Sequence, residues 1–96
     1  TGFSFVTGFG DKTPLDQHNR IMGADGIDEP TPGYISGGPN TIVLTDCDAE
    51  GVVRSEYPAS SFTDTQCSFS TNETAINWNA PLVYLSAGLE AFYRYN

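Results

Sequence analysis

The chain has 96 residues, with four Lys plus Arg against twelve Asp plus Glu and a formal net charge of −8. That balance excludes a nucleic-acid grip, which needs clustered cations, and adhesion to an anionic membrane surface. No apolar run approaches the roughly 20 residues of a membrane span, so neither nucleic acid nor membrane is an expected partner. Hydrophobic residues make up 39%, and ten Gly with six Pro interrupt any regular pattern, a composition that predicts too thin a core for a self-standing domain. With no Met start and no signal-peptide pattern, the chain is expected to be either mature or a piece of something longer.

In the first segment, Phe3, Phe5, Val6 and Phe9 predict a short extended run punctuated by Gly2, Gly8 and Gly10, and Pro14 ends it. His18 and Arg20 follow two residues apart. In extended backbone that spacing puts both on one face, where an imidazole and a guanidinium suit sugar hydroxyls and developing negative charge. The alternative is a pair of exposed polar loop residues. Residues 24–40 are rich in Gly, Pro, Asp and Asn and read as loop. Tyr34 in this loop either stacks on a sugar face or packs.

Residues 41–60 open on the apolar Ile42, Val43 and Leu44. Asp46, Asp48, Glu50 and Gly51 match the start of a calcium loop, but Tyr57 stands where its bidentate Glu belongs, so an EF-hand is rejected and only an improvised carboxylate site stays open. The two cysteines, Cys47 and Cys67, with His18 far away in sequence, do not make a structural zinc site. They are either two thiols or a disulfide worth roughly 3 kcal/mol by loop entropy.

Within 62–80, Ser70-Thr71-Asn72-Glu73 supports two readings. A lone carboxylate at the mouth of an apolar helix is suited to be a general acid, its pKa raised by desolvation. Ser-x-x-Glu is also a capping box. From about Thr71 to Tyr95 the pattern predicts helix, with Ile76, Ala80, Val83 and Ala87 as one stripe and Leu82, Leu85, Leu89 and Phe92 as another, a wide apolar face made for burial in a larger assembly. Pro81 either kinks this helix or marks its first regular turn. Trp78 flanks a sugar site or fills core. Asn72-Glu73-Thr74 is formally a glycosylation sequon, expected to be unused because a glycan beside a catalytic acid would block the cleft.

Phe62, Asp64, Phe69, Glu73, Ala75, Asn79 and Ala80 meet every specified position of the second signature of glycoside hydrolase family 9, and the stretch resembles that signature. Ser4, Val6, Thr7, Gly10, Lys12, His18 and Arg20 resemble its first signature, with Gln17 where the family usually has Pro or an aliphatic residue and Asn19 where many members have a second His. The resemblance implies an inverting endo-β-1,4-glucanase (cellulase) acting on β-glucan, with Glu73 as general acid, Asp64 and His18 in the active site, and Arg20 binding substrate. It implies an all-α fold: a C-terminal segment of an (α/α)6 barrel, loop-rich over 1–70 with one long helix over about 71–95. It implies a secreted protein and favours the disulfide between Cys47 and Cys67. The family's Asp-rich base motif is absent, so the N-terminal portion of the same catalytic domain is an expected partner, and no cofactor or metal is called for. The alternatives are an exo-acting β-glucosidase or glucosaminidase of the same family, a non-catalytic carbohydrate-binding module, and a disulfide-stapled structural domain.

Overall fold

The computed structural model describes residues 2–95. Two 3-10 turns, Asp48–Glu50 and Pro58–Ser60, interrupt the long loops. A single-turn helix, α1, covers Phe69–Asn72, and a long helix, α2, covers Ile76–Tyr95. There is no sheet among the described residues; extended segments meet as isolated bridges, Phe3 with Lys12, Val6 with Ile35 and His18 with Glu73.

The interior of the loop-rich part is polar. Thr7, Gln17, Ser36, Arg54, Ser61, Ser68, Thr71 and Asn72 are buried, with Cys47 and Pro14 beside them. Buried polar groups need partners, so hydrogen bonds rather than apolar packing set this region's shape. Arg54 does most of the tying. It forms a fully buried ion pair with Asp46 at 2.9 Å, meets Ser61 Oγ at 3.0 Å, and also donates to the carbonyls of Asn40 and Val43 and to the Ser70 hydroxyl. One guanidinium thereby joins segment 40–46, Ser61 and the start of α1.

Burial by itself raises the pKa of Asp46. Hydrogen bonds from the Ser70 hydroxyl, Arg54 and the Ser70 amide, with the Arg54 charge, outweigh it and hold the carboxyl below its ordinary value. The neighbouring Cys47 is disulfide-bonded to Cys67, Cα to Cα 5.2 Å, which settles the open choice between thiols and a bridge. The improvised calcium site loses its anchor, because Asp46 faces Arg54 and Ser70.

The helix expected over 71–95 is broken. Glu73 is extended, with φ −76° and ψ 143°. Its carbonyl accepts the Gly37 amide at 3.1 Å and that of Asn72 accepts the His18 amide at 3.0 Å, so neither is free for a helical bond. The capping box fails for the same local reason: Ser70 lies inside α1 and its hydroxyl turns to Asp46 at 2.5 Å. α2 starts afresh where the Ala75 carbonyl accepts the amides of Trp78 and Asn79. Pro81 sits in its second turn, inside the helix, where it removes the amide that would reach Asn77.

No residue of α2 is buried. Ile76 is 85% exposed, Val83 68%, Leu85 59%, Leu89 48% and Phe92 59%. The radius of gyration is 14.7 Å, against about 12.5 Å for a compact domain of this length. Among the described residues, the chain has a polar, largely self-satisfied knot and a helix whose apolar stripes are mostly exposed.

Candidate active site

Glu73 is fixed by backbone on two sides. On one side the His18 amide bonds the Asn72 carbonyl, making the His18–Glu73 bridge; on the other Gly37 bonds Glu73 and Gly38 bonds the Thr71 carbonyl at 2.8 Å. His18, Arg20 and Glu73, from two stretches some fifty residues apart, therefore line one cleft of about 530 Å³ together with Asn19, Gln66 and Thr74. Asn19 shapes its wall. Its side-chain amide donates to Thr74 Oγ1 at 3.0 Å, and its Oδ1 accepts the amides of Ile21 and Met22 in the turn that carries Arg20. His18 Nδ1 meets the Gln66 carbonyl.

Asp64 is elsewhere. Its carboxylate accepts the amides of Leu15 at 2.7 Å and Asp16 at 3.0 Å, and the Asn72 side-chain amide at 3.0 Å. A carboxylate committed to three donors on the chain leading into His18 and on the residue before Glu73 orients both; it does not line the cleft. Asn72 is the junction. It is fully buried, donates also to the Asp16 carbonyl at 3.0 Å, and accepts from Ser36 Oγ, which in turn accepts from Gln17 Nε2. This burial leaves no room for a glycan on Asn72. It also explains Gln17, the departure from the first signature, as one end of a buried polar relay.

Two expected sugar contacts stand apart. Tyr34 and Trp78 are 39% and 37% exposed and neither lines the cleft. Trp78 lies on Gly37, where a Cβ would come within 2.8 Å of the indole. Asn79 clasps the Ile35 backbone, accepting its amide at 2.8 Å and donating to its carbonyl at 3.2 Å, so α2 is tied to the Gly37–Gly38 turn. Arg54, Asn72, Asn79 and Gln66 build the site, yet sequence reasoning gave them no structural role. Asn79 alone carried a signal, as a signature position.

Glu73 is exposed and sits beside one imidazole and one guanidinium, and no second carboxylate lines the cleft among the described residues. The arrangement presents one exposed carboxyl group beside an imidazole and a guanidinium, without a second carboxylate to complete an acid–base pair.

The chain matches the profile of Glycosyl hydrolase family 9 over residues 1–86. It is 41% identical, over its whole length, to the xyloglucan-specific endo-beta-1,4-glucanase BoGH9A of Bacteroides ovatus, of which it covers 16%. It is 43% identical, over 97% of its length, to Endoglucanase D of Acetivibrio thermocellus, of which it covers 12%. The solved structure of Bacteroides ovatus GH9 superposes with a TM-score of 0.74 at 41% identity, covering 95% of this chain and 14% of that one. The chain thus spans a small fraction of the relatives it matches. With both signature stretches meeting in one cleft, and with a profile match across nearly all its residues, the chain belongs to glycosyl hydrolase family 9.

Proposed function

We propose that this chain supplies the general-acid side of an endo-β-1,4-glucanase site that cleaves β-1,4-glucan by inversion. The observation that carries the reading is the His18–Glu73 bridge, which brings the two signature stretches into one cleft. Glu73 protonates the leaving glycosidic oxygen, while His18 and Arg20 hold sugar hydroxyls beside it. Inversion needs a second carboxylate about 6.5–9.5 Å from the acid, with room for water between them. Asp64 is occupied by amides, so the base comes from a portion of the polypeptide outside residues 1–96. That portion also covers α2, whose exposed apolar stripes fit the last helix of an (α/α)6 barrel. Covering five side chains the size of Val, Leu or Phe would contribute on the order of 10 kcal/mol. The Cys47–Cys67 disulfide supports a secreted protein.

The test is Glu73→Gln in the complete catalytic domain, assayed on soluble β-glucan. We expect turnover to fall about 10²–10⁴-fold with substrate binding retained. Unchanged turnover refutes Glu73 as the acid. Residues 1–96 alone are expected to show no turnover, and clear activity there would overturn the shared-site reading.

A further inference from the structure

The cleft contains a contact that the acid chemistry does not use. His18 Nδ1 meets the backbone carbonyl of Gln66. A carbonyl oxygen only accepts, so Nδ1 carries the proton, and in the neutral ring Nε2 then keeps its lone pair. Gln66 is tethered through its neighbour, and its side chain lies over Gly23. The next residue, Cys67, is bonded to the fully buried Cys47, and the Gln66 side chain lies so close over Gly23 that a Cβ there would come within 2.1 Å of its Nε2. Further bonds fix the turn around it, with Ser68 N on Thr65 O at 3.1 Å and Phe69 N on Cys67 O at 2.9 Å.

We propose that the Cys47–Cys67 disulfide is a positioning device for substrate. It holds the Gln66 carbonyl against His18, fixes the Nδ1–H tautomer, and leaves Nε2 as an acceptor for a sugar hydroxyl. Cutting the tether frees Gln66 to withdraw and the ring to re-tautomerise or rotate, which turns the acceptor into a donor. Cys47, Cys67 and the Gln66 peptide act through His18 and are positioning groups. The inference rests on the glucanase reading for the identity of the ligand; the tautomer itself does not depend on it.

The experiment uses the complete catalytic domain. With histidine labelled with ¹⁵N, the His18 signal is identified by its loss in His18→Asn. In the oxidised protein, at a pH where the ring is neutral, we expect Nδ1 protonated and Nε2 bare. In Cys47→Ser/Cys67→Ser we expect that preference to be lost and KM for soluble β-glucan to rise about tenfold, the worth of one hydrogen bond, with kcat much less changed. Nε2 protonated in the oxidised protein overturns the inference. So does a double variant with unchanged KM, or one that loses only kcat. If the double variant does not fold, the tautomer of the oxidised protein decides. Turnover with Nε2 protonated defeats the positioning inference alone. Nδ1 protonated without turnover defeats the hydrolase reading and leaves the tautomer assignment standing.

Discussion

Residues 2–75 bury eight polar side chains and satisfy them largely among themselves, whereas α2 buries no residue and leaves its apolar stripes in solvent. The first region owes its shape to directional bonds, each specifying a partner, and so it can hold Glu73 and His18 in register. The second depends on non-directional apolar burial, which any complementary surface supplies. Site geometry and the exposed apolar surface are thus divided between two regions that meet at Ala75–Asn79.

The polar region is most vulnerable at Arg54. Arg54→Met strands Asp46 as a buried, unpaired charge and is expected to destabilise the complete domain by about 3–5 kcal/mol. Adding Asp46→Leu should recover much of that loss in a denaturant titration. If the single variant is as stable as the parent, hydrogen bonding does not hold the knot.

Leu89→Ala tests the other region. It should cost about 2–5 kcal/mol in the complete domain. In residues 1–96 alone, where Leu89 is already 48% exposed, the cost should be far smaller. Equal costs in both would mean that α2 is not covered by the rest of the protein.

Gly37→Ala probes the seam between the regions. The new methyl would press on Trp78 and should cost about 1–3 kcal/mol as overpacking. It should also reduce turnover, because the Gly37 amide holds the Glu73 carbonyl. Full stability with full activity would show that the indole is free to move.

The smallest effect is with pH. The folded pKa of Asp46 lies below its unfolded value, about 3.9 for an ordinary Asp. Its stabilisation is therefore complete well above that value and is lost as pH falls through the lower, folded one. Denaturant midpoints between neutral and strongly acidic pH should fall less in Asp46→Asn than in the parent. Parallel curves would exclude Asp46 as a contributor to acid loss.

The family, the cleft residues His18, Arg20 and Glu73, and the apolar helix were legible in the order of amino acids alone. Motif spacing and 3.6-residue periodicity are local properties, readable without a fold. The chain's loop-rich character was legible too, since Gly and Pro restrict backbone wherever they stand. The break at Glu73 came from contacts distant in sequence, where amides from His18 and Gly37 take the carbonyls of Asn72 and Glu73. The fold also withdrew Asp64 from the cleft to the amides of Leu15 and Asp16, and set Trp78 against Gly37. Arg54 and Asn72 stayed illegible because a buried polar side chain is defined by partners far along the chain, and nothing in its neighbouring residues names them; Gln66 is exposed and acts through its backbone carbonyl, which carries no side-chain signal at all.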